Sequence, residues 1–227
     1  MRLRMGSIAF AFVAAGQISN HANIAKLELD QSANPHLRLH GRIVYESPWV
    51  QYNPLPVCWE NPDGQSSANL QLVRQSVTDT WQCSSGLNFT GWQKCAKKNH
   101  GIRLFIADVG PRTLKIGQFG DGVVRNVTLN FMFSTWSQNC QATRDACIRS
   151  TAVHEFGQAI GFVHEQNSPN APGECRKKAQ GALGDKDLTP YDPTSVMNYC
   201  NRVINNNGHL SALDRDAVQT MYGNLRQ

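Results

Sequence analysis

Residues 154 to 164 read His-Glu-Phe-Gly-Gln-Ala-Ile-Gly-Phe-Val-His, and four of these side chains could do chemistry together. On a helix, His154 and Gln158 stand one turn apart on the same face, so an imidazole nitrogen and an amide oxygen there can reach one metal ion. Glu155, beside the first ligand, faces that ion's water, where a carboxylate can take a proton and pass it on. Gly161 can adopt a positive φ, end the helix and swing His164 round to close the ligand set. The chemistry open to such a set is hydrolysis by a metal-activated water.

The run is the pattern H-E-x-x-H-x-x-G-x-x-H with Gln158 in place of the second histidine. Downstream, Ser195-Val196-Met197-Asn198-Tyr199 resembles the methionine turn of the metzincins, the zinc-peptidase clan that includes astacins and matrixins. A bare H-E-x-x-H recurs by chance on many helices, but the glycine, the third histidine and the methionine turn in the expected order make this resemblance specific. Weaker matches extend it over about residues 50 to 224. Leu210-Ser211-Ala212-Leu213-Asp214, running on to Tyr222-Gly223, is similar to the closing helix of matrixins, and His164-Glu165-Gln166 continues the motif as astacins often do. The segments Leu55 to Glu60 and Phe89 to Trp92 look like those of secreted bacterial metallopeptidases of the clan.

The resemblance implies an α+β fold with a twisted mixed sheet, an active-site helix and a C-terminal helix. It implies a Zn2+ cofactor on His154, Gln158 and His164, with Glu155 as general base, and a protein or peptide substrate. Met197 would lie under the ligands as a packed floor. Tyr199 matches the astacin tyrosine that can stabilise the oxyanion, or it packs the turn and nothing more. Gln158 leaves three accounts open. A neutral amide oxygen is a weaker donor than imidazole, so the site is a working but attenuated peptidase, a pseudoprotease that binds peptide or glycan, or an engineered or erroneous residue in an active one. The attenuated peptidase is favoured, because His154, Glu155, His164, Met197 and Tyr199 all remain.

The elements that must position these residues follow from periodicity. Ala68 to Trp81 places Leu70, Val73, Val77 and Trp81 on one helical face, and Ile102 to Ala107 and Val127 to Phe133 alternate as half-buried strands do. In metzincins the strand ahead of the zinc helix is an edge that pairs with substrate, which implies that role for Val127 to Phe133. The zinc-site helix is expected over roughly 145–160, and residues 167–194, with four prolines, as a long loop shaping the cleft. Ser211 and Asp214 carry the spacing of a helix cap.

Length and composition fit one globular catalytic domain over residues 53–227, expected as a monomer. Residues 16–52 read as an N-terminal extension or short propeptide, with no cysteine and no Phe-x-Gly-Asp to act as a latency switch. Met1 to Ala15 is a basic then apolar stretch ending in small residues, the pattern of an export signal cut after Ala15, and too short to span a membrane. Its removal lowers the formal net charge from +5 to +3, too weak for a nucleic-acid partner. Seven cysteines in an exported chain point to disulfides and one spare thiol. The expected pairing is Cys58–Cys95, Cys140–Cys147 and Cys175–Cys200, leaving Cys83, although spacing alone permits others. Asn88-Phe-Thr90 and Asn126-Val-Thr128 fit the glycosylation tripeptide, which is common by chance.

Overall fold

The computed structural model describes residues 41–223, so the expected export signal over residues 1–15 lies outside the described residues. In chain order come strands β1 (Arg42–Ile43) and β2 (Leu55–Trp59), helix α1 (Ser67–Val77), and strands β3 (Phe89–Lys94), β4 (Ile102–Ile106), β5 (Arg112–Thr113) and β6 (Val127–Leu129). A short α2 (Gln138–Ala142) leads into the long α3 (Arg144–Ala159), followed by α4 (Gly173–Arg176), β7 (Lys186–Asp187) and α5 (Ala212–Tyr222).

Five strands form one mixed sheet in the order β3-β2-β4-β6-β5. Strands β2, β3, β4 and β6 run parallel, and β5 lies antiparallel to β6 with Thr113 opposite Val127. This α+β arrangement is the fold class expected from the sequence. Two details of the strands are corrected. Ile102 to Ile106 is covered on both faces, since Arg103 is buried and bonded to Glu60 Oε1 at 3.0 Å and to the Ala96 carbonyl at 3.2 Å. Val127 to Phe133 is not an edge strand, because only Val127–Leu129 is a strand and it is interior, while β5 is the edge on that side of the sheet and β3 the edge on the other. The Asn130 side chain ends it by accepting the N–H groups of Met132 and Phe133, each at 2.8 Å, and Phe133 turns to φ +57°.

Helices α1 and α3 pack on one another. Val73, Val77 and Trp81 are fully buried and Leu70 packs at the margin, as the helical spacing requires. The chain loosens to a π turn over Thr78–Gln82, which lets the Trp81 indole N–H donate to the Val153 carbonyl at 2.8 Å. Helix α5 starts on the Ser211/Asp214 capping box. The stretch over residues 167–194 contains α4 and β7 in place of an unbroken loop, and β7 pairs with β1. Thus the end of the N-terminal extension is packed onto the domain, with Ile43 fully buried and the Trp49 indole donating to the Ala159 carbonyl at 2.7 Å.

The disulfides are Cys58–Cys95, Cys140–Cys147 and Cys175–Cys200, and Cys83 is a free, exposed thiol. Asn126 is buried, accepting from the Lys115 N–H at 2.9 Å and donating to its carbonyl at 3.2 Å, so it cannot carry a glycan in this fold. Among the described residues no helix is long and apolar enough to cross a membrane.

Candidate active site

Helix α3 presents almost its whole C-terminal half to the interior, from Ser150 to Ala159. Its end is set by Gly161, whose φ of +119° and close approach to Ser47 and Met221 leave no room for a side chain. The Gly161 N–H returns to the Gln158 carbonyl at 3.0 Å, Phe162 N–H to the Gly157 carbonyl at 3.0 Å, and Val163 N–H goes to Arg42 of β1 at 2.9 Å. That path delivers His164 back onto α3.

His154, Gln158 and His164 meet there. His154 Nε2 and His164 Nε2 are 3.2 Å apart, and the Gln158 amide nitrogen lies 2.7 Å from His164 Nε2. Each imidazole is oriented from behind by a carbonyl that can only accept: His154 Nδ1–H donates to Val196 and His164 Nδ1–H to Gln180, both at 2.9 Å. The two Nε2 atoms therefore carry lone pairs and face each other. Burial, reinforced by the neighbouring His164, pushes His154 down to about 3, and burial also lowers His164. Both rings are neutral donors at ordinary pH.

Glu155 is 3% exposed, and burial lifts its carboxyl to about 8, against the opposing effect of a hydrogen bond from Thr113. The Thr113 hydroxyl lies 2.7 Å from Glu155 Oε2. Beneath the ligands, Met197 is buried at the turn, and the Glu165 N–H donates to its carbonyl at 3.0 Å. Tyr199 lies across both imidazoles, with ring centroids 5.0 Å from His154 and 4.5 Å from His164. Burial first, and then the Glu155 carboxylate, raise its phenol above the usual range.

Glu155, Gln158, His164 and Tyr199 open into a cleft of 270 Å³, walled by Pro111 to Leu114 on one side and by Gln180 to Ala182 on the other. A larger groove of 780 Å³ between α1 and β3 is lined by Trp92, Arg74 and side-chain amides but holds no acid–base or metal-ligating pair, so the chemistry belongs to the smaller cleft. All five residues singled out in the sequence, His154, Glu155, Gln158, His164 and Tyr199, come together. The sequence reading missed Thr113 and the carbonyls of Val196 and Gln180, since a two-residue strand has no periodicity and a backbone acceptor has no residue signature.

The two imidazole nitrogens fit zinc in geometry, and the third donor does not as it stands, since the Gln158 amide nitrogen lies at a hydrogen-bond distance of 2.7 Å from His164 Nε2. Two ligands about 2.0–2.1 Å from one tetrahedral centre stand roughly 3.3–3.4 Å apart, close to the separation of the two Nε2 atoms. Among the described residues no three His, Cys, Asp or Glu side chains converge, because the third position here is an amide.

No family profile matches the sequence, and no curated protein does. Solved structures do match the fold. One structure of myroilysin superposes with a TM-score of 0.55 at 18% identity, covering 80% of this chain and 98% of the other, and a crystal structure of myroilysin gives 0.53 at 18%, covering 78% and 86%. High choriolytic enzyme 1, a hatching enzyme zinc-protease from the medaka fish Oryzias latipes, gives 0.50 at 15% identity, covering 76% of this chain and 90% of its own. The chain has the metzincin-like fold. At these identities the likeness speaks for the fold alone, and the cleft lies where the sheet edge β5 meets helix α3.

Proposed function

We propose that this chain is a secreted zinc-dependent endopeptidase whose metal site is attenuated by Gln158. The observation that carries the reading is the pair of neutral imidazoles, each fixed from behind, with Nε2 lone pairs 3.2 Å apart beside a buried carboxylate. Two such lone pairs repel in a buried site, and a cation between them would relieve that repulsion and pair both. His154, His164 and the Gln158 amide oxygen would hold zinc. When bound, zinc supplies Lewis acidity, polarising a carbonyl and acidifying water.

The chain's own residues do the rest. Glu155, which a cation held by His154 and His164 would keep ionised against the effect of burial, takes a proton from the attacking water and returns it to the departing amine. Tyr199, lying over both imidazoles at the cleft, donates its phenol hydrogen to the developing oxyanion; a phenol, here raised above its ordinary value of 10, holds that hydrogen at neutral pH. An extended peptide lies along β5, whose outer edge is open, and its main-chain groups pair with that edge. The substrate is accordingly an unfolded or loop segment of protein. Residues 1–15 act as the export signal, residues 16–52 as an extension ahead of the catalytic domain, and the enzyme works as a monomer outside the cytoplasm, where its three disulfides persist.

A second reading is favoured by one contact. The Gln158 amide nitrogen, at 2.7 Å, can donate to His164 Nε2 and satisfy that lone pair with no metal at all, as a peptide-binding pseudoprotease would need. Zinc stoichiometry of the purified chain, measured beside peptide hydrolysis, separates the two. Bound zinc with turnover supports the enzyme, and peptide binding without metal or cleavage supports the binding module.

A further inference from the structure

We propose that the Thr113 hydroxyl fixes the orientation of the Glu155 carboxylate, which makes Thr113 a positioning residue for the hydrolysis proposed above. The inference rests on that reading of Glu155. Its geometry does not: Thr113 Oγ1 is 2.7 Å from Glu155 Oε2 and 3.1 Å from the Glu155 carbonyl oxygen. A hydroxyl has one hydrogen, and in the ionised form that a general base must take, the carboxylate is a stronger acceptor than the carbonyl, so the hydrogen then goes to Oε2.

Three features make this contact decisive for the carboxylate. Glu155 is buried and forms no salt bridge among the described residues, and the Thr113 hydroxyl is the one side-chain group there that hydrogen-bonds it. Glutamate has three rotatable bonds, and the terminal one is soft, so without a donor on Oε2 no side-chain hydrogen bond among the described residues fixes the carboxylate plane. With Oε2 engaged, Oε1 is the oxygen left to face the cleft and handle a proton.

Thr113 is also placed by the sheet and not by a flexible loop. It sits opposite Val127 in the β5–β6 pairing, and the neighbouring Leu114 N–H donates to the Asn126 carbonyl at 2.8 Å. The same two-residue strand is the open edge that walls the cleft. Substrate backbone and general base are thereby referenced to one element. A shift of β5 would move both together, which preserves the angle of proton transfer that a misplacement of even 1 Å would spoil.

The test uses Thr113→Val, which keeps shape and strand preference but removes the donor, and Thr113→Ser, which keeps the donor. In the zinc-loaded Gln158→His background, Thr113→Val should lower kcat about 10–100-fold with KM and zinc content unchanged, and Thr113→Ser should recover most of the loss. Unchanged kcat in Thr113→Val, or a serine variant as slow as valine, would overturn the proposal. If that background neither holds zinc nor cleaves peptide, the endopeptidase reading fails. The orientation is then decided by crystal structures of the otherwise unaltered chain with and without Thr113→Val: a turned or disordered Glu155 carboxylate supports the role, and an unmoved one refutes it.

Discussion

Gly157 and Met197 are in such close contact that a β-carbon at position 157 would overlap the methionine sulfur and come within 3.0 Å of Trp81. The methionine turn thus seats against bare helix backbone, directly under the ligand helix. Alanine at position 157 should gain up to about 1 kcal/mol in helix propensity yet lower stability by about 1–3 kcal/mol through overpacking. Combining Gly157→Ala with Met197→Ala should cost less than the sum of the two single changes. Urea unfolding of the four proteins in that cycle gives the answer, and strict additivity would mean that the contact carries no strain.

Gln158 should be the weak member of the metal site. Its amide must turn to offer oxygen where its nitrogen now lies 2.7 Å from His164 Nε2. The chain should therefore lose zinc on dialysis against a chelator that leaves Gln158→His loaded. Changes behind a ligand alone cost about 10–100-fold, so restoring a first ligand should raise affinity at least that much. Glu155→Ala in the Gln158→His background should abolish turnover and leave zinc in place. Elemental analysis beside peptide hydrolysis tests both statements, and a Gln158→His variant that gains no metal would end the zinc reading.

Asp214 joins the last helix to the methionine turn. One oxygen accepts the N–H groups of Ser211 and Val196, each at 3.0 Å, and the other accepts the Ser195 hydroxyl at 2.6 Å. Replacing it by alanine removes a cap and strands a buried N–H, which should cost about 2–3 kcal/mol. A chemical melt showing a loss below about 0.5 kcal/mol would mean that solvent or another group takes over those donors.

The same residue makes a pH prediction. Burial, partly offset by those three hydrogen bonds, holds its carboxyl above the ordinary 3.8. The folded chain then keeps a proton that the unfolded chain has released, so this contribution to stability is full below 3.8 and is lost as pH rises through the folded value. Relative to wild type, Asp214→Asn, which cannot ionise, should become steadily more stable as pH climbs from about 3 to about 6. Denaturant midpoints of both proteins across that range read the slope, and a slope of opposite sign would show that the hydrogen bonds outweigh burial.

Cys175–Cys200 closes a 25-residue separation between α4 and the residue after Tyr199. Replacing both cysteines by serine should lower stability by about 3.5 kcal/mol on chain-entropy grounds. Thermal unfolding under non-reducing conditions measures it. In the native wild type, a thiol reagent should label Cys83 alone, since it is the exposed free cysteine.

What was legible in the sequence was whatever depended on local spacing. His154 and His164 around Gly161, the Ser211–Asp214 cap and the helical face of Val73, Val77 and Trp81 follow from periodicity or a backbone requirement that few residues meet. The misreading of Val127 to Phe133 has a local cause too, because alternation continues in the residue types while Asn130 turns the backbone away. The edge strand was illegible for the opposite reason. Arg112–Thr113 owes its strand geometry to pairing with β6, a contact between segments that no short window contains. With it went Thr113, whose partner lies 42 residues further along the chain.

The strap over residues 41–52 bears on how the protein can be cut and still fold. Arg42 is bonded to Asp187 and to the carbonyls of Leu183 and Gly184, next to the cleft wall, while Ser47 donates to the Gly161 carbonyl at 3.0 Å and Trp49 to Ala159. A recombinant fragment begun at residue 53 would uncap the end of the ligand helix and release the wall opposite β5 in one stroke. The shortest piece worth expressing therefore starts at or before Gly41, and a protease nick near Tyr52 would be felt first at His164, more than a hundred residues away in sequence.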